Sequence, residues 1–189
     1  MSGAADTGTA GGARAAAVPA PVTTTARLAL REFVAADAPF VRALLNDPDW
    51  IRYIGDKNVR SDDEARGYLE RGPIAMYART GFGLYHVALR ATGEAIGMCG
   101  LIKRDTLPDV DVGFAFLPAH RGQGYALESA AAVIAHGAQA HGLTRVVAIA
   151  SPDNARSLRL LERLGMTSEG PWTGSAPDDP LLLYARSLT

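Results

Sequence analysis

The chain is expected to fold as a mixed α/β domain: a sheet with helices on its faces. Two observations carry this. Strand-like segments dominate the middle of the sequence, whereas strands and helices alternate towards its end. Between a strand-like run, 110–117, and an alanine-rich amphipathic helical pattern, 125–141, lies the turn Arg121-Gly122-Gln123-Gly124-Tyr125-Ala126. A glycine-rich turn between strand and helix lets backbone N–H groups converge at the positive end of the helix dipole.

The elements follow in order. After Met1, residues 2–25 of the segment 1–25 are Ala, Gly, Thr, Ser, Pro and Val with one Asp6 and one Arg14; the segment has no large apolar cluster able to seed a core and should form a disordered tail. A single domain then spans 26–189, beginning with the alternating segment from Arg27 to Phe33. Asp37 would cap a helix buried through Phe40, Val41, Leu44 and Leu45. Residues 46–57 read as a loop carrying Trp50 and Tyr53. Ser61 and Glu64 form a capping box, and Gly72-Pro73 closes or kinks the helix they open. Segments 83–90 and 95–103, joined by Thr92-Gly93, read as an antiparallel hairpin, with a third strand at 109–117. After the long helix come a strand at 145–150, a helix from about Asn154 with Leu158, Leu161 and Leu164 on one stripe, and a last strand at 181–185.

Composition narrows the function classes. The 189 residues are 48% hydrophobic and 21% charged, as in a globular domain. The formal net charge of −1 argues against binding nucleic acid or a membrane surface through bulk charge. Lys57 and Lys103 are the only lysines. Cys99 is the single cysteine and sits in an apolar strand pattern, where it reads as a buried small side chain. No His/Cys cluster has metal-ligand spacing, and no metal is expected. No apolar run has the length of a membrane span, and the expected compartment is the cytoplasm.

The turn at 121–126 is neither a P-loop, because no Gly-Lys-Ser/Thr follows, nor the three-glycine dinucleotide fingerprint. Two readings are open at this level: a pyrophosphate site built from backbone, or a tight strand–helix connection and nothing more.

Taken with its surroundings, the turn resembles the acetyl-CoA signature of the GCN5-related N-acetyltransferases, Arg/Gln-x-x-Gly-x-Gly/Ala. Asn154-Ala155-Arg156-Ser157 and Leu164-Gly165-Met166 are similar to that family's later helix and Gly-Phe pair. Asp111-Val112-Gly113-Phe114 and Gly124-Tyr125-Ala126-Leu127-Glu128 resemble its branch of ribosomal-protein-alanine acetyltransferases, RimJ and RimL. The resemblance implies a mostly antiparallel sheet of about six or seven strands with about four helices, splayed at the cofactor site. It implies acetyl-CoA as co-substrate and direct attack by a bound amine. Arg121 and the backbone of Gly122, Gln123, Gly124, Tyr125 and Ala126 would hold the pyrophosphate, and Asn154 the cofactor arm. A bulge at Gly113 would turn the backbone of Phe114 and Phe116 towards the pantetheine. Asp111, in place of the family's Glu, would be the general base; Ser157 would protonate the leaving thiolate, since Leu161 stands where many members carry tyrosine. Glu128 is a further catalytic or dipole-stabilising candidate, at the start of the long helix. Trp50, Tyr53 and His86 would line the acceptor side.

The acceptor is expected to be a primary amine: a protein N-terminus, an amino acid or a small molecule. The enzyme would be a monomer or homodimer. A catalytically silent acyl-CoA-binding module, and an α/β domain with a purely structural turn, are the alternatives.

Overall fold

The computed structural model describes residues 18–174 and 180–188. Eight strands form one sheet: β1 (Pro21–Thr24), β2 (Leu28–Arg31), β3 (Leu84–Leu89), β4 (Ala95–Ile102), β5 (Val110–Phe116), β6 (Arg145–Ala150), β7 (Thr167–Pro171) and β8 (Leu182–Ser187). Their spatial order is β1-β2-β3-β4-β5-β6-β8-β7. All neighbours run antiparallel except β5 and β6, which are parallel. Six α-helices flank the described sheet: α1 (Ala38–Leu45), α2 (Pro48–Tyr53), α3 (Asp62–Leu69), α4 (Ala75–Thr80), α5 (Tyr125–His141) and α6 (Ala155–Arg163).

Strand alternation sends side chains into two cores. On one face, Val110, Val112 and Phe116 of β5 pack with Ala130, Val133 and Ile134 of α5 and Leu161 of α6. On the other, Met98 of β4 packs with Val41, Leu44 and Leu45 of α1, Trp50 of α2, and Ala65 and Leu69 of α3. Leu44, Leu45 and Leu69 are almost wholly removed from water, each worth about 1.5–3 kcal/mol of burial. Cys99 is buried, as its strand pattern predicts.

The local signals hold where they depend on neighbouring residues. The β3–β4 hairpin forms. At α3 the Ser61 side chain accepts from Glu64 N, while the Glu64 carboxylate accepts from Ser61 N. Gly72-Pro73 falls within a π-helical stretch, Glu70–Ile74, which joins α3 to α4 rather than stopping the helix. β7 appears as a strand not anticipated from sequence, paired only with β8.

Four expectations need correction. Residues 21–24, placed within the disordered tail, form edge strand β1; Pro21 sits at its first position, where a missing N–H is tolerated. The rest of that tail up to residue 17 lies outside the described residues. Residues 48–53, read as loop, form α2, because the Asp47 side chain accepts from the N–H groups of Asp49 and Trp50 ahead of Pro48 in the first turn. Asp37 does not cap α1 through its side chain: its carboxylate takes the Arg31 guanidinium in a two-pronged pair at 2.8 Å and accepts from Val34 N. Finally, the β4–β5 register runs unshifted from Gly97↔Phe116 to Ile102↔Asp111, so no bulge interrupts it at Gly113. A Cβ there would stand 3.0 Å from Ile102 Cδ1; the glycine makes room for that side chain.

Candidate active site

β5 and β6 share two rungs, Val110↔Val146 and Asp111↔Val147, and then part. Leu117 N donates to Ile96 O at 2.9 Å on the β4 side. Antiparallel alternation therefore turns the N–H and C=O of Phe114 and Phe116 away from β4, into the gap facing β6. The Phe116 carbonyl accepts from Arg121 Nε at 2.8 Å, whereas Phe114 faces the gap with no strand partner. The gap opens into a cleft of about 1650 Å³ that runs from α2 and α3 to the first turns of α5 and α6. So the Phe114 and Phe116 backbone faces the gap without the bulge expected to turn it there.

At one end of the cleft lies the turn before α5. Gly122 and Gly124 have φ of 74° and 83°, a left-handed conformation that costs other residues roughly 1–2 kcal/mol. Nothing lies within 4 Å of where a Gly122 Cβ would stand. The first N–H here to donate within the fold is Glu128 N, to Gly124 O at 3.0 Å; among the described residues those of Gly122 to Leu127 have no acceptor. Uncommitted amides at the positive end of a 17-residue helix suit a diphosphate in number and sign.

Arg121 does not present its side chain to that turn. Its guanidinium pairs with Asp49 at 2.7 Å and with Asp47, the residue capping α2, besides the Phe116 carbonyl. It is a strut between β5 and α2, and the phosphate role assigned to its side chain is withdrawn. The Gln123 side chain likewise turns back to Ala119 O at 2.9 Å, leaving only its backbone N–H for an anion.

On the opposite wall, Asn154 caps α6, its Oδ1 accepting from Ser157 N at 3.1 Å. Both residues line the cleft, and the Ser157 hydroxyl has no hydrogen-bond partner in the described structure. Leu161 is 1% exposed, packs in the core and borders the cleft with an aliphatic side chain, which has no proton to give.

At the other end, Asp111 is 2% exposed and projects from the β5 face that carries α1 to α4. Its Oδ2 accepts from Arg104 Nε at 2.7 Å. Burial pushes its carboxyl above the usual carboxylate range, against the opposing pull of Arg104. Trp50, Tyr53, Lys57, Tyr68 and Arg104 also line the cleft. Trp50 packs into the core and also touches the cleft; its indole nitrogen is buried without a partner among the described residues. Tyr53 stacks under the Arg52 guanidinium, 4.9 Å from the ring centre.

Two candidates leave the site. His86 is 4% exposed on β3, two strands from the gap, wedged against the rings of Phe33 and Phe40. Burial, then the nearby Arg31, pushes its imidazole down to about 4, so it is a neutral core residue rather than a base or acceptor contact. Glu128 accepts from the Thr25 hydroxyl at 2.5 Å, Arg27 N at 3.0 Å and Arg27 Nε at 2.6 Å, fastening the β1–β2 turn to α5. It does not reach the cleft. Sequence reading missed Arg104, Lys57 and Tyr68. The β4–β5 register was the available signal for Arg104: with Ile102 opposite Asp111, the residue two places on stays beside it.

Among the described residues no helix is long and apolar enough to cross a membrane, and no group of His, Cys, Asp and Glu could hold a metal ion. Comparisons with known proteins agree with this geometry. The uncharacterized N-acetyltransferase YoaA of Bacillus subtilis is 29% identical over 79% of this chain and 85% of its own length. A crystal structure of an acetyltransferase from Agrobacterium tumefaciens superposes with a TM-score of 0.74 at 28% identity, covering 87% of this chain and 92% of that one. A RimL ribosomal L7/L12 α-N-protein acetyltransferase, solved with coenzyme A, shares the fold at a TM-score of 0.75 and 21% identity, over 88% of this chain and 97% of its own. The acetyltransferase (GNAT) domain pattern matches residues 27–167, and with that match the chain belongs to the GNAT acetyltransferase family.

Proposed function

We propose that the protein transfers an acetyl group from acetyl-CoA to a primary amine, both substrates being held in the cleft together. The observation that carries this is the run of uncommitted amides at Gly122 to Leu127 opening onto the unpaired Phe114 backbone. The amides would hold the diphosphate, and the Phe114 N–H and C=O would pair with an extended amide-bearing arm as a missing strand would. Coenzyme A in the RimL complex, and family membership, support that choice of ligand. Bound acetyl-CoA supplies an activated acetyl thioester.

The remaining chemistry falls to the chain. A primary amine must lose a proton as it attacks, and Asp111 is the buried carboxylate beside the gap; its raised pKa makes it a better proton acceptor than an exposed aspartate. The open hydroxyl of Ser157, which lines the opposite wall, would deliver a proton to the departing sulfur. Asn154 fixes the turn that presents Ser157. Trp50 and Tyr53 would exclude water on the acceptor side. The working unit is one domain, extended at its start to include β1.

The decisive assay is release of free thiol from acetyl-CoA over a panel of amines, with and without Asp111→Asn. The wild type should turn over with some amines. The variant should lose about 10²-fold in kcat, most at low pH where few amines are already neutral. Binding of acetyl-CoA without turnover for any amine would instead select the silent module, which the buried Leu161 favours. Absence of binding would remove both.

A further inference from the structure

The side chains around the cleft are more basic than the protein that carries them. Lys57, Arg104, Arg121, Arg156, Arg159 and Arg163 line it against Asp49, Asp111 and Asp153, in a chain whose formal net charge is −1. Each of the three carboxylates is already engaged: Asp49 with Arg121 at 2.7 Å, Asp153 with Arg52 at 2.9 Å, and Asp111 with Arg104 at 2.7 Å. The surplus is positive, and it lies in two places. Arg156, Arg159 and Arg163 follow one face of α6, on the wall that would receive the phosphates. Lys57 and Arg104 stand apart from these, with Asp111 and Tyr68, where the acceptor would lie.

Diphosphate binding accounts for the first group and not for the second. Lys57 has no carboxylate within ion-pair distance among the described residues; its ammonium reaches only the Ile54 carbonyl, at 3.4 Å. Partial burial, then repulsion from Arg104, hold its pKa below the ordinary lysine value. Lys57 and Arg104 thus have one carboxylate, Asp111, between them; the unmatched positive charge destabilises the free protein, and a bound anion relieves that. Arg104 uses Nε on Asp111, and the rest of its five-donor fork is uncommitted to any carboxylate.

We propose that the acceptor is an amine bearing a carboxylate close to its amino nitrogen, and that Lys57 and Arg104 bind that carboxylate. This rests on the transferase reading above. The charges run in the order such a molecule needs: Asp111 faces the amino group, and the two cations face the acid beside it. A polycationic amine would meet Lys57 and Arg104 unfavourably; like charges 4 Å apart repel by about 4 kcal/mol near a protein surface. In the reaction a C–N bond forms to the acetyl carbon as its C–S bond breaks. One amine proton passes to Asp111, the sulfur leaves as thiolate and takes the Ser157 hydroxyl proton, and solvent carries the proton from Asp111 back to Ser157. The acceptor's carboxylate is unchanged throughout. A free amino acid and the N-terminus of an acidic peptide both offer this chemistry.

The test uses the full chain and matched pairs: glutamate and leucine against their α-amides, and an acidic peptide against a lysine-rich peptide of equal length. Thiol release gives kcat/KM, and calorimetric titration of each amine into the protein with coenzyme A gives an affinity. The acidic member of at least one pair should be favoured roughly tenfold or more. Preference within the amino-acid pairs identifies a small-molecule acceptor; preference confined to the peptides identifies a chain terminus. Lys57→Ala should bring the favoured ratio close to one in both measurements, and Lys57→Arg should retain it. Turnover with no preference for the acidic member, or a preference that survives Lys57→Ala, overturns the proposal while leaving the transferase reading intact. Absence of thiol release with every amine overturns both.

Discussion

The two ends of the cleft are made of different material. Where the coenzyme would bind, the surface is main chain: the amides of Gly122 to Leu127 and the open backbone of Phe114, with glycines securing the geometry. Where the acceptor would bind, the surface is side chains brought together from four places: Asp111 on β5, Arg104 beyond β4, Tyr68 on α3, and Lys57 beyond α2. A backbone surface is indifferent to most substitutions nearby and intolerant of a few. A side-chain surface can be rewritten one residue at a time.

Three substitutions sharpen or break this contrast. The largest effect is expected from Gly122→Val, which places a β-branched residue at a φ of 74° and so displaces the amides. Losing two charge-assisted contacts should weaken acetyl-CoA by about 100-fold in calorimetry. Unchanged affinity would mean that the anion site is not main chain.

His86→Leu comes next and tests whether the β3 histidine belongs to the framework. Its imidazole is held at about 4 in the fold, below the ordinary value near 6.5. A depressed folded-state pKa contributes stability that is whole above pH 6.5 and drains away as pH falls towards 4. Denaturant unfolding at pH 7.5 and 4.5 should show a loss smaller by about 2 kcal/mol in the variant than in the wild type. An equal loss in both would place the acid sensitivity elsewhere.

The smallest effect is expected from Glu128→Gln, which weakens the clasp on Thr25 and Arg27. Thermal unfolding should fall by about 2–6 °C, from roughly 1–2 kcal/mol, with the pH profile of kcat retained. A displaced pH profile would return Glu128 to the chemistry.

How much could be read in advance follows the same division. The Ser61–Glu64 box, the helix start near Asn154 and the β3–β4 hairpin depend on residues a few positions apart, and they formed as read. The glycine-rich turn was legible because its requirement is local: backbone that only glycine adopts at low cost. Asp47-Pro48-Asp49 also carried a cap and an N-terminal proline, yet α2 is six residues long and has little periodicity to announce it. β1 offers the core only Val22; it is held also by pairing with β2, by Glu128, and by Arg90, which donates to the Thr25 carbonyl at 2.8 Å. The roles of His86 and Glu128 turned on direction. A strand's register and a helix's rotation decide which side a residue faces, and both are fixed by partners about a hundred residues away or on other strands. Arg121 failed for a related reason, since its partners on α2 lay in a segment read as loop.

The parting of β5 and β6 has a consequence for solubility. A sheet ordinarily has two borders where bare backbone can recruit a foreign strand. This one has an additional pair of short borders inside it, at the point where the strands diverge. The interior borders are walled by α5 and α6 on one face and by α2 and α3 on the other. A neighbouring sheet cannot approach through such a slot, but a lone extended chain can. Selective admission of one slender guest is thus also a guard against the edge-to-edge association that exposed strands invite.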